Sequence, residues 1–231
     1  MHSIITANRR RPRLAIVLTA APAFLLMISA PLSATADSAR YRLELQITWS
    51  AETHPFEWPA QGGHLSDLTG VTHDSRYVMF ADGRTATSGL KLVAENGRSS
   101  ILEAELAEAR RRNRVGEVIY GEKLKHVPGP IVTEFDAHKD RPLVSFVTML
   151  APSPDWFTGV ASVRLYDKGA WRQRMEGPLM AWDAGTDSGS TYLAENMETQ
   201  PAESIRLIAT SHFLTNDGLR PVGRYVLERI Q

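Results

Sequence analysis

The chain has 231 residues, 43% of them apolar, with 26 basic and 26 acidic side chains and no cysteine. That length and apolar content suit one domain with a real core, while the missing cysteines exclude disulfide staples, lipoprotein attachment, thiolate metal sites and cysteine nucleophiles. Arg9, Arg10, Arg11 and Arg13 are the only Lys, Arg, Asp or Glu before Asp37, so residues 37–231 carry 22 basic against 26 acidic side chains, which argues against a nucleic-acid partner because no positive excess faces phosphates.

Residues 1–36 read as a secretory signal peptide. The arginine cluster is followed by an apolar run from Leu14 to Ile28 and by Ala34-Thr35-Ala36, a cleavage motif that makes Asp37 the mature start. The run is short for a membrane span and carries Pro22. The expected location is therefore secreted or periplasmic.

Tyr41, Leu43, Leu45, Ile47 and Trp49 alternate with polar residues, the pattern of a half-buried strand. His54 to His64 reads as loop. Arg76–Phe80 and Leu90–Ala94 are expected as further strands, ended by Asp82-Gly83 and Asn96-Gly97. Ser100 to Arg112 is the one expected helix. Ser100 and Glu103 fit a capping box, and Leu102, Leu106 and Ala109 share a stripe. Its acidic residues come early and Arg110, Arg111 and Arg112 come last, as the helix dipole favours. Such an arginine run is either a solvated helix end or a patch for an acidic partner. Val115–Tyr120, Ile131–Phe135, Leu143–Leu150, Gly159–Tyr166, Arg206–Thr210 and Gly223–Ile230 complete a series of short strands. Leu143–Leu150 is apolar enough to be central. Many short strands with one helix predict a mainly β fold, an antiparallel β-sandwich, over 37–231.

The candidate site lies between Leu150 and Gly189. Asp155-Trp156 follows Pro152 and Pro154, and Trp182-Asp183 leads into Gly185, Asp187 and Gly189. Proline and glycine fix these segments as loops. Three carboxylates held close repel one another unless a cation lies between them. Hard oxygen ligands favour Ca²⁺. The alternative is that each aspartate stabilises its own turn. Trp156 and Trp182 serve either as sugar-stacking platforms or as wedges that seat the loops. Asp155 and Asp183 are conceivable as a glycosidase pair, but a cation between them lowers their pKa values and opposes general-acid use. No His-x-x-x-His pair supports a zinc enzyme, and Gly185-Thr-Asp-Ser-Gly189 places its serine fourth, not third, so it is not a nucleophile elbow.

Ala151-Pro-Ser-Pro-Asp155-Trp156-Phe157-x-Gly159 and Trp182-Asp183-Ala-Gly185-Thr-Asp187-Ser-Gly189 resemble the spondin domain family of F-spondin and mindin. Thr48-Trp49-Ser50, His54-Pro55, Phe80-x-x-Gly83 and Leu92-Val-Ala-Glu95-Asn-Gly97 extend the likeness over about residues 41–210. The resemblance implies a C2-like β-sandwich with a bound calcium ion, whose carboxylates fall on Asp155, Asp183 and Asp187. It also implies an extracellular, adhesive, non-enzymatic module whose partner is an extracellular protein or glycan. The chain departs from the family's animal members in having no cysteine for their disulfides. A polysaccharide hydrolase and a C2-like contact with anionic membranes are the alternatives. Lys168, Arg172 and Arg174 make only a thin basic patch for the latter.

Overall fold

The computed structural model describes His2 and residues 36–231. The expected signal peptide lies outside the described residues, apart from His2 and its last residue, Ala36. Among the described residues no helix is long and apolar enough to cross a membrane.

Two antiparallel sheets and a helical layer build the domain. The four-stranded sheet runs in the spatial order Arg174–Leu179, Gly223–Arg229, Ser38–Ile47, Gly129–His138. The larger sheet runs Arg206–Leu207, Ala181–Asp183, Trp156–Arg164, Leu143–Ala151, Leu68–His73, Val115–Gly121, with His64–Leu65 paired beside Leu143–Ala151. Between the sheets lies the main core. Tyr41, Leu43, Leu45 and Phe135 from one sheet meet Ile119, Val144, Phe146 and Leu150 from the other. The alternation of the first strand is thus realised, with Arg42, Glu44 and Gln46 on the outer face beside Glu228, Val226 and Arg224.

Leu143–Ala151 is buried along its whole length because both its faces are covered, a condition that produces continuous apolar runs instead of alternation. Its second face packs under the helices, where Val147 and Phe157 meet Leu90, Val93, Leu102 and Leu106. At Gly159 the next strand passes so close that a Cβ would lie 2.1 Å from the Phe146 carbonyl oxygen. Only glycine fits there.

Among the described residues there are two helices, not one. The Leu90–Ala94 segment expected as a strand belongs to α1, Ser88–Asn96. Thr87 accepts from the Leu90 amide, and Gly97, at φ 65°, closes the helix by donating to the Val93 carbonyl. Leu90, Val93 and Ala94 are buried at helical spacing. A five-residue apolar run does not by itself distinguish strand from helix, and here the two caps decide. The helix α2, Ser100–Arg111, begins as expected, but its N-cap is Ser99, whose hydroxyl donates to the Glu103 carboxylate at 2.6 Å. Arg76–Phe80 is also not a strand. The Asp74 carboxylate accepts from the Arg76 amide at 2.8 Å and turns the chain, and Met79 and Phe80 then drop into the helical layer. The strand in this region is Leu68–His73, buried throughout and paired with Leu143–Ala151.

Phe146, fully buried between the sheets, sets a test of this layering. Phe146→Ala should cost about 3–5 kcal/mol in denaturant unfolding, whereas Val132→Ala, on the outer face and 44% exposed, should change stability by less than about 0.5 kcal/mol. Equal effects would contradict the assigned faces.

Candidate functional site

Both aspartate loops leave strands of the larger sheet at the same end. Asp155 precedes Trp156–Arg164, and Asp183 ends Ala181–Asp183, its antiparallel neighbour, with Asp183 paired to Trp156. Ser153 shapes the first loop by donating to the Leu150 carbonyl and accepting from the Trp156 amide at 3.1 Å. In the second loop the Asp183 carboxylate accepts from the Gly185 amide at 2.7 Å. Gly185 has φ 72°, and a Cβ there would meet the Glu203 carbonyl at 2.5 Å. Glycine is required on both counts.

Asp155 joins the loops. It is fully buried, and its Oδ2 accepts from the Thr186 amide at 2.7 Å, the Asp187 amide at 3.1 Å and the Thr186 hydroxyl at 3.3 Å. Its Oδ1 is buried with no hydrogen-bond partner. Burial, and then the negative charge of Asp183, push this carboxyl from an aspartate's usual 3.8 up to about 6. Asp183 is also raised, by burial first, against the pull of the Gly185 amide and of Arg206. Its Oδ2 receives the Arg206 guanidinium at 3.1 Å.

The third aspartate stands differently. Asp187 accepts from the Gly189 amide at 2.7 Å and the Met197 amide at 3.1 Å, one on each oxygen. Among the described residues no group of three or more His, Asp or Glu side chains is arranged to hold a metal ion. The fold therefore couples Asp155 with Asp183, and commits the Asp187 carboxylate to its own loop. Asp183 and Asp187 nonetheless line one cleft of about 330 Å³ with Trp156, Ser188, Ser190 and Arg206.

A cation is tested here by the unpartnered Oδ1. A buried carboxylate oxygen without a donor carries a desolvation cost that a cation removes. Asp155 and Asp183 fit such an ion by charge and oxygen chemistry. Two participants were missed in the sequence. Thr186 sat in plain view between Gly185 and Asp187, but its amide role depends on the loop fold. Arg206 carried no local signal, since nothing in its own segment points to Asp183.

The tryptophans divide. Trp156 is buried in an aromatic cluster, with ring centroids 5.1 Å from Tyr192 and from His212 and 5.6 Å from Phe213. It seats the loop and has no face free for a sugar. Trp182 is half-buried against Phe80. Glu95 lies in α1 and pairs with Lys91 at 3.6 Å.

The Spondin_N family model matches residues 39–217. The chain is similar to Spondin-1 of Gallus gallus, 37% identical over 210 residues, covering 84% of this chain and 26% of that protein. It is similar to Spondin-1 of Homo sapiens at 36% over 210 residues, covering 84% and 25%. Spondin-2 of Homo sapiens matches at 30% over 205 residues, covering 84% and 62%. The chain thus spans about a quarter of the Spondin-1 relatives and less than two thirds of that Spondin-2.

The buried Asp155 gives a pH prediction. Its folded pKa lies above its unfolded value, so its ionisation destabilises the fold. That penalty is absent below about pH 3.8 and complete above about pH 6. A gap of this size corresponds to roughly 3 kcal/mol. Asp155→Asn keeps an acceptor oxygen but buries an amide nitrogen, costing about 1–3 kcal/mol at every pH. With chelator present, the melting temperature of Asp155→Asn minus that of the wild type should therefore rise between pH 4 and pH 7.5. A pH-independent difference would show that Asp155 is not a strained buried carboxylate.

Proposed function

The chain belongs to the Spondin_N family, and from that premise we propose that it is a secreted, non-enzymatic, calcium-binding module for extracellular binding or adhesion. The unpartnered Oδ1 of buried Asp155, close enough to Asp183 to feel its charge and tied through the Thr186 and Asp187 amides to a loop that lines the cleft, is the observation that carries the calcium reading. Asp155 and Asp183 would hold the ion, and Asp187, with loop carbonyls and water, would complete an oxygen shell of the kind Ca²⁺ takes. The ion would neutralise the Asp155–Asp183 repulsion and lock the two loops that wall the cleft. Binding would thereby fix the surface offered to an extracellular protein or glycan.

A hydrolase reading gains nothing from the raised Asp155 carboxyl. A general acid must reach its substrate, and Asp155 is fully buried. The neighbouring Asp183 is tied to Arg206 and the Gly185 amide.

Extracellular calcium modules bind with Kd on the order of 0.1–1 mM. At a hundredfold excess of Ca²⁺ over Kd the folded state gains about 2.7 kcal/mol. For a domain of this size that raises the melting temperature by roughly 5–10 °C. Asp155→Asn and Asp183→Asn should abolish the rise. Asp187→Asn should weaken it less, since its oxygens already serve backbone amides. Melting curves that ignore both chelator and a hundredfold excess of Ca²⁺ over that Kd range would overturn the calcium reading.

A further inference from the structure

We infer that Arg76, Arg110, Arg111, Arg112 and Arg114, braced by the mostly buried Arg141, form a docking surface for an acidic polysaccharide. Only three of these follow one another in sequence. The fold gathers the others around the turn that ends α2. Asn113, at φ 55°, breaks the helix. Arg76, from the loop after the Leu68–His73 strand, donates to the Asn113 carbonyl at 3.0 Å. Arg141, from the turn before Leu143–Ala151, donates to the Asn113 side-chain oxygen. Its stem lies over Gly116, where a Cβ would be 3.0 Å from its Cδ. Arg110 donates to the Gly116 carbonyl at 3.1 Å.

Helix capping and solvation account for part of this cluster, but not for its charge. Arg111 and Arg112 share a single carboxylate, Glu108. Arg76 pairs with Asp74 and Arg141 with Asp140. Among the described residues Arg110 and Arg114 have no ion pair, as no salt bridge includes them. These six arginines thus have three ion-paired carboxylates among them, on a domain whose overall balance is negative. Glu117 lies beyond, on the next strand, with its carboxylate engaged by the Asp136 amide at 3.1 Å. The helix C-terminus adds only about half a negative charge, too little to cancel the excess.

The chemistry favours one class of ligand. Guanidinium forks match sulfate and carboxylate groups, and a polyanion gains most from several fixed cations because it engages them together. Arg111 and Arg112 are 69% and 61% exposed; backbone carbonyls hold the side chains of Arg76 and Arg110, and the Asn113 side-chain oxygen holds that of Arg141. The choice of a polysaccharide over other polyanions rests on the secreted reading, since acidic glycans are the polyanions of that space. The surface itself does not depend on calcium.

Immobilised heparin and polygalacturonate serve as probes, with vesicles containing phosphatidylglycerol as the competing surface. The purified exported protein should be retained at about 0.15 M NaCl and released by higher salt. The double variant Arg111→Gln/Arg112→Gln should weaken binding about tenfold or more and flatten the salt dependence. The double variant Arg42→Gln/Arg174→Gln changes net charge equally on the outer face of the four-stranded sheet, and should bind as the wild type does. Both should melt within a few degrees of the wild type, as expected for exposed arginines. Absence of retention, equal loss in the two doubles, or stronger binding to the vesicles than to either polysaccharide would overturn the inference. Chelator should leave retention unchanged, so a failed calcium site and a failed arginine surface give different results.

Discussion

The burial of the Asp155 carboxylate is the constraint on which the functional end of the molecule depends. Its Oδ2 gathers the Thr186 and Asp187 amides, and so ties the loop entering one strand to the loop leaving its neighbour. Those amides would otherwise be buried without acceptors, which is costly. The same residue leaves Oδ1 without a donor and stands near a second carboxylate. A group that satisfies the backbone while leaving its own charge uncompensated is stable only if protonated or matched by a cation. The rest of the loop architecture follows from it. Gly185 permits the turn that delivers the two amides, and the buried Trp156 anchors the adjoining strand in the aromatic cluster.

The layers hold the strands that meet at this junction in register. The larger sheet is covered on one face by the other sheet and on the other by α1 and α2. Its strands cannot slip without exposing apolar surface on one side or the other. The outer face of the four-stranded sheet instead carries alternating charges, including Arg42, Glu44, Arg174 and Glu228, and is suited to water. The two proposed surfaces therefore lie where the core does not need the residues. One occupies a strand end closed by loops, and the other the terminus of a helix.

Where the sequence was legible, periodicity and burial agreed. Tyr41–Trp49 alternates because one face is wet, and Leu143–Leu150 does not because neither is. Leu90–Ala94 misled because its run is short, and the deciding caps, Thr87 and Gly97, lie outside it. Arg76–Phe80 misled because apolar residues under a helical layer resemble a strand when read alone. Asp155, Asp183 and Asp187 stood out through their prolines, glycines and tryptophans. Their differing partners did not, since hydrogen bonds from Met197 and Arg206 arise from distant segments. The arginine surface was half visible, as Arg110, Arg111 and Arg112. Arg76 and Arg141 join it only through the turn at Asn113.

The most direct measurement is a crystal structure of the protein grown with calcium, with anomalous scattering used to identify the ion. The account predicts one calcium in contact with Asp155 Oδ1 and an Asp183 oxygen, at the 2.3–2.6 Å typical of calcium–oxygen contacts, with the Thr186 and Asp187 amides still on Asp155 Oδ2. A well-ordered loop pair with no ion between Asp155 and Asp183, at calcium concentrations far above millimolar, would contradict it.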